Sequence, residues 1–377
     1  MKIIVATPLY PPEIERLSVY TRDLAKYLSV DNQLTILAYA NQTEEDSNIN
    51  IVKVNKNQPL LWRLFYYTWA LLKLAKQADI IYAQNAVASG LPAIIVKYLS
   101  GKPVLINFLE DEAYKRAINL NLTNKSWEEF ILKPSMKGHE KIGRIIKIQT
   151  WVLRRASKVL VASQAMAQVI TQVYKVSEKN IVVNYNPEDR QQKLDFDMTM
   201  IPQQIFASGP LTAWTGMEDI IKTVSKLKAK YKNIKLIISG NGVDRHKLLE
   251  LVKNLDLVDQ VVILGQISKA QEWYLLKTSN VYVHNFFGID LASNISHSFL
   301  ARTAVIAKNT EYNRELLVEE GLYNNTDELV SKISAIFEDD ELRKKLIDKA
   351  SHDLELKFSW SAHLARLNDI LEIFRQK

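Results

Sequence analysis

The chain has no cysteine among its 377 residues. That excludes a disulfide framework, thiolate metal sites and a cysteine nucleophile. The six histidines (His139, His246, His284, His297, His352 and His363) stand apart with no HxxxH-like pair, so no metal and no metal cofactor is expected. There is no complete G-x-G-x-x-G, and no acid about 20 positions beyond a first-strand glycine turn, which disfavours a nicotinamide enzyme. The longest apolar run, Leu64 to Leu72, is less than half a membrane span. The apolar strand near the N-terminus is too short for the core of a signal peptide. The protein is therefore expected in the cytoplasm. Solenoid-length repeats and low-complexity tracts are also missing.

What is present in excess is positive charge. The formal net charge is +7, and between Lys133 and Lys158 eight Lys or Arg face one Glu. Two readings stand open: a solvated helix face, or a surface for anionic lipid or an anionic acceptor. Nucleic acid is not expected as a partner, because no aromatic–basic stacking pattern accompanies the charge.

The length favours two domains. Short, continuously apolar segments are expected strands of a parallel sheet buried on both faces: Lys2–Ala6, Gln33–Leu37, Ile80–Ala83, Val104–Asn107, Val159–Ala162 and Ile181–Val183. Helical patterns lie between them, at Ser18–Leu28, Leu60–Lys76 and Ala165–Tyr174. A polar stretch with two prolines reads as a linker over 187–203. A second series follows, at Ile205–Ser208, Lys235–Ser239, Val261–Leu264, Val281–His284 and Val305–Ala307. "FSWSAHLARLNDILEIFRQK" has Ser359 as N-cap and apolar residues at helical spacing, so it reads as a closing helix. The layout is α/β, with two Rossmann-like doubly wound domains: 1–186, then 204–356 after the linker, then the helix of 357–377.

Ligands in such domains lie at the carboxyl ends of the strands. "SGNGVDRHKLLELV" follows one strand and opens a helix, and there Gly240 and Gly242 would let backbone approach a ligand. These residues carry a resemblance. "TPLYPPEIERLSVYTRDLAKYL", "RRASKVLVASQAMAQVITQVYKVSEKNIVVNYNPED", "LIISGNGVDRHKLLELVKNLDLVDQVVILGQIS" and the terminal "FSW" helix are together similar, in order and spacing, to the retaining family 4 glycosyltransferases of the GT-B fold. Asn186 and Asp189 match that family's Asn-Gly-Val-Asp. The resemblance implies two domains facing each other across a cleft, with the last helix returning to the first domain. It also implies a nucleotide sugar held by the second.

Several charges that the family uses are replaced. Its opening glycines are Glu15 and Arg16. After the first strand of the second domain Gly209 and Gly216 are kept, but Pro210 and Thr215 stand for the phosphate-binding Arg and Lys. The two carboxylates with seven residues between them become Ile289 and His297, or Asp290 and Ser298 with a one-residue shift. The acceptor-side His falls near Leu109 or Glu110, followed by Asp111 and Glu112. Carried over residue by residue, the donor site comprises Arg16, Gly209, Thr215, Gly216, Gly240, Gly242, Asp290, His297 and Glu315. The catalytic candidates are Glu110, Asp111 and Asp290. Each has a plainer reading: Asp290 as a turn residue, His297 as a partly buried polar residue, Glu315 as an acid in a helix first turn.

Two functions remain open. One is a glycosyltransferase moving a sugar from a nucleotide sugar to a lipid-linked or polysaccharide acceptor in cell-envelope glycan assembly. It would work peripherally on the inner face of the membrane. The other is a catalytically silent GT-B subunit supporting an active glycosyltransferase partner. Membrane contact is expected from the Lys141–Arg155 helix, with Ile142, Ile145, Ile146 and Val152 on one face. It is expected too from Trp62, Phe65, Tyr66, Tyr67 and Trp69 upstream.

Overall fold

The computed structural model describes residues 1–377 except 14, 44–48, 121, 124, 126, 133–139, 189–197, 213–214, 286–292 and 376–377, and except the side chains of Arg16, Glu128, Ser293 and Asn294. Asp290 and Asp189 therefore lie outside the described residues, as do Lys133 and Lys137 of the basic segment. The chain forms two compact units. The first is Met1–Leu122, Ile131–Tyr185 and Leu364–Lys377; the second is Thr123–Phe130 and Asn186–His363.

The first unit runs β1 (Lys2–Thr7), α1 (Arg16–Leu28), β2 (Gln33–Tyr39), β3 (Asn50–Val54), α2 (Leu60–Ala75), β4 (Ile80–Ala83), α3 (Gly90–Ser100) and β5 (Val104–Phe108). It continues through α4 (Glu112–Asn119), α5 (Trp127–Leu132), α6 (Glu140–Leu153), β6 (Lys158–Val161), α7 (Gln164–Tyr174) and β7 (Ile181–Val183), α5 being shared with the second unit. Its seven strands are all parallel, in the order β3-β2-β1-β4-β5-β6-β7. Every residue of β1, β4 and β5 except Lys2 is buried, which is why these strands read as unbroken apolar runs. Strand β3, "NIVKV", escaped the sequence reading. It is the sheet edge, mostly half-buried or exposed, and its Asn and Lys break the apolar run.

The second unit runs β8 (Gln204–Ser208), α8 (Met217–Leu227), β9 (Lys235–Ser239), α9 (Arg245–Asn254), β10 (Val261–Gly265), α10 (Lys269–Thr278) and β11 (Val281–His284). Then come α11 (Ser293–Leu300), β12 (Ala304–Lys308), α12 (Glu311–Leu316), β13 (Leu322–Tyr323), α13 (Thr326–Glu338), α14 (Asp340–Lys357) and α15 (Trp360–Arg375), the last shared with the first unit. The sheet is again parallel, in the order β10-β9-β8-β11-β12-β13. Two residues are too few to show periodicity, so β13 also went unread. Helix α8 buries Met217, Ile220, Ile221, Val224 and Leu227, the helical stripe, in one core with Ile205, Leu236 and Ile306 from the strands. Each such side chain contributes about 1.5–3 kcal/mol when fully buried.

Candidate functional site

In each unit the chain winds outward from a pair of neighbouring parallel strands, β1 and β4 in the first, β8 and β11 in the second. The crevice beyond the carboxyl ends of such a pair is where open α/β sheets hold ligands.

In the second unit three turns stack above the strand ends. The Gly209 amide donates to Ser239 O (3.0 Å), Leu211 N to Asn241 O (2.9 Å), and Gly240 N to Gly265 O (2.8 Å). A Cβ on Gly240 would stand 1.8 Å from Gly209 O, and one on Gly242 would stand 2.1 Å from Leu211 O. The backbone that these two glycines admit is thus the neighbouring turn, a role the sequence reading had assigned to a ligand. Gly216 caps α8 in the left-handed region (φ +62°), and a Cβ there would strike the Asn285 amide. Asn285 follows β11 and donates from Nδ2 to Gly216 O. Among the described residues its Oδ1 is buried and has no hydrogen-bond partner, and the same holds for Thr212 Oγ1. Such orphaned acceptors cost about 1–3 kcal/mol each unless a donor arrives. Thr215 is buried and donates to Thr212 O at 2.8 Å, so it brings no cation to the start of α8. The first turn of α8 carries Glu218 and Asp219, and Glu218 is paired with Lys247 from α9.

His297 lies on α11 between two carboxylates. Its Nε2 is 3.7 Å from Glu188 Oε2, and its Nδ1 is 3.7 Å from Glu272 Oε2. Ser296 Oγ donates to Glu188 Oε1 at 2.8 Å. The sequence reading found two carboxylates missing from the seven-residue spacing; the fold gathers two others around His297. Glu188 sat in plain view beside Asp189 in "NPED", whereas Glu272 carried no sequence signal. At the end of β11 burial pushes the His284 imidazole down to about 4, which keeps it neutral near neutral pH. Glu315 is the fifth residue of α12, not a first-turn acid. Thr310 caps that helix, Glu311 is its first-turn acid, and Glu315 O accepts from Lys357 Nζ at 2.8 Å.

In the first unit Arg16 opens α1. Beside the β1–β4 pair, Tyr20 of α1 meets Tyr82 of β4 (OH to OH 3.5 Å), and Asn107 Nδ2 donates to Gln84 Oε1 at 2.9 Å. Among the described residues Ser18 Oγ is buried there without a hydrogen-bond partner. Asp111 is committed elsewhere. It caps α4, with Oδ1 accepting from Ala113 N (2.9 Å), Tyr114 N (3.0 Å) and Gln149 Nε2 (3.1 Å), while Oδ2 accepts from the Tyr174 hydroxyl. A carboxylate so fully used has a structural role. Glu110 pairs with Lys115 at 2.7 Å and keeps a partly exposed side chain. Glu112, bonded by Asn85 Nδ2, has its carboxyl pushed up by burial, the kind of perturbation found at functional carboxylates.

Tyr67 does not belong with the exposed aromatics. It is buried, and its hydroxyl reaches Leu37 O (2.9 Å) and Thr7 O (3.2 Å). On α6, Ile142 and Val152 are buried and Ile145 and Ile146 half-buried, so that apolar face serves the core. Among the described residues no three His, Asp or Glu are grouped to hold a metal ion, and no helix is long and apolar enough to cross a membrane.

Two family descriptions match, "Glycosyltransferase Family 4" over residues 17–192 and "Glycosyl transferases group 1" over 189–353. An uncharacterized glycosyltransferase of Methanocaldococcus jannaschii is 22% identical, covering 96% of this chain and 95% of its own. The N-acetylgalactosamine-N,N'-diacetylbacillosaminyl-diphospho-undecaprenol 4-alpha-N-acetylgalactosaminyltransferase of Campylobacter jejuni is 25% identical over 52% of this chain and 55% of its own. Among solved structures, Anabaena Alr3699/HepE in complex with UDP superposes with TM-score 0.71 at 16% identity, covering all of both chains. The same protein is known with UDP-glucose (TM-score 0.67). At such identity the structures speak for the fold alone.

Proposed function

The chain belongs to the family 4 glycosyltransferases of the GT-B fold, and on that premise we propose that it moves a sugar from a nucleoside diphosphate donor to a lipid-linked or polysaccharide acceptor in cell-envelope glycan assembly. The observation that carries the donor half is the β8–β11 crevice, where the buried Asn285 Oδ1 lacks a donor among the described residues beside the start of α8. A sugar or ribose hydroxyl supplies such a donor. Support for the nucleotide comes from HepE, which binds UDP and UDP-glucose. Support for a lipid-linked acceptor comes from the Campylobacter enzyme, whose name places its acceptor on diphospho-undecaprenol.

The proposed reaction retains configuration and needs no metal. The bond from the sugar to the diphosphate breaks, and the acceptor oxygen bonds on the same face. Its proton passes to the leaving phosphate, so no enzymic nucleophile is required. His297 and Glu315 of the second unit are proposed to hold the nucleotide; in the first unit Arg16 is proposed as a donor-site cation, and Glu110 and Glu112 to face the acceptor.

Calorimetry with UDP-, GDP- and dTDP-sugars tests the proposal. One nucleotide should bind, and Asn285→Ala should weaken it by about 1–3 kcal/mol. Binding by none of them would return the chain to the silent-subunit reading.

A further inference from the structure

Helix α2 is apolar on both faces, and among the described residues only one face is covered. Tyr67, Leu71 and Ala75 are buried in the first unit. On the opposite side Trp62, Phe65, Tyr66 and Trp69, spaced i, i+3, i+4 and i+7, form one stripe. They stand 58%, 58%, 41% and 50% exposed, with Leu61 at 78% beside them. The rings touch one another, Trp62 to Tyr66 at 6.1 Å and Phe65 to Tyr66 at 5.6 Å between centroids. Solvent-facing helix stripes are ordinarily polar, and contiguous exposed apolar surface marks an interaction site.

Helix α3 packs on α2 and adds Tyr98 and Leu99, both exposed. Tyr98 meets Trp151 of α6 (6.4 Å), over which the Arg155 guanidinium lies at 4.8 Å. Lys73 Nζ sits 3.4 Å from the Trp69 ring centroid. The three helices α2, α3 and α6 carry six Lys or Arg (Arg63, Lys73, Lys97, Lys141, Arg144, Lys147) and a single acid, Glu140.

We infer that the exposed stripe of α2, with Tyr98 and Leu99 of α3, docks the protein on an anionic lipid bilayer. Trp and Tyr, apolar bodies with polar tips, favour the headgroup boundary, and flanking ammonium and guanidinium groups meet anionic lipid. With its other face packed in the fold, α2 lies along the surface and does not span it. The near absence of acids on these helices selects an anionic occupant, and the aromatic stripe selects one with an apolar interior.

The inference is independent of which sugar is moved, and nucleotide binding is measured alongside to keep the two apart. The full chain is floated with vesicles of phosphatidylglycerol and phosphatidylcholine, and with phosphatidylcholine alone. The expected result is binding to the anionic vesicles that weakens as salt rises. In the variant Trp62→Ser/Phe65→Ser/Trp69→Ser the partition coefficient should fall by about tenfold or more. In Lys141→Glu/Lys147→Glu it should fall by at least about fivefold per base. Both variants should keep the thermal unfolding and nucleotide binding of the parent. Equal binding to neutral vesicles, no binding to anionic ones, or unchanged binding by the triple variant overturns the inference. So does a lipid-free dimer that the triple variant dissociates, since the stripe would then be a protein interface.

Discussion

Gly240 lies against Gly209 so closely that a Cβ on Gly240 would stand 1.8 Å from the Gly209 carbonyl oxygen, at a φ of +136° that L side chains rarely adopt. The turns after β8 and β9 can only stack with hydrogen at that position. Gly240→Ala should therefore lower stability by about 3 kcal/mol or more in urea unfolding. Gly143 is the internal control: it lies in α6 with nothing within 4 Å of its Cβ position, so Gly143→Ala should raise stability by about 0.5–1 kcal/mol. Equal effects would remove the stacking account.

Asp111 and Glu110 should separate by the same measurement. Asp111→Ala strips four donors of their acceptor, the α4 cap among them, and should cost about 2–4 kcal/mol. Glu110→Gln loses only a half-exposed ion pair and should change stability by less than about 1 kcal/mol. If Glu110 faces the acceptor, its variant should lose turnover while keeping donor affinity.

His284 links stability to pH. Its pKa falls from 6.5 in the unfolded chain to about 4 in the fold, because burial disfavours the charged ring. The unfolded state then binds the extra proton, so this contribution is present above pH 6.5 and is lost as pH falls toward 4. Between pH 7 and pH 5 the loss should be about 2 kcal/mol. Urea titrations at both pH values should show that drop in the parent and not in His284→Leu. An identical drop in both proteins would assign the pH dependence to other groups.

His297 is held between Glu188 and Glu272, and its proposed role is a hydrogen bond with the nucleotide's ribose. His297→Ala should weaken UDP binding by about 1–2 kcal/mol. The loss should largely vanish when the ligand is a nucleotide without ribose hydroxyls. A loss of the same size for both ligands would make His297 a packing residue.

Arg16 opens α1 and is proposed as a cation for the donor diphosphate. Arg16→Ala should weaken donor binding by about 1.5–3 kcal/mol, the range of a charge-assisted hydrogen bond. An unchanged affinity in a protein that binds nucleotide removes Arg16 from the site.

The architecture was legible in the chain because its signals are local. "KIIVAT", "IIYA" and "VLINF" are apolar throughout since both faces of these strands are covered, and α8 shows its buried stripe in the spacing of Met217, Ile220, Ile221 and Val224. What local pattern cannot carry is the choice of partner across the fold. Gly240 and Gly242 read as room for a ligand until the turns of a neighbouring strand were seen to fill it. Asp111 stands as a catalytic candidate in the sequence, but Gln149 and Tyr174, 38 and 63 residues away, bond it. The carboxylates at His297 come from the chain just after β7 and from α10, and Ser296 binds Glu188 across 108 residues. On α2 the apolar spacing is helical on every side, so sequence alone established the helix. Only the packing of Tyr67 against Leu37 and Thr7 decided that Trp62, Phe65 and Trp69 face outward.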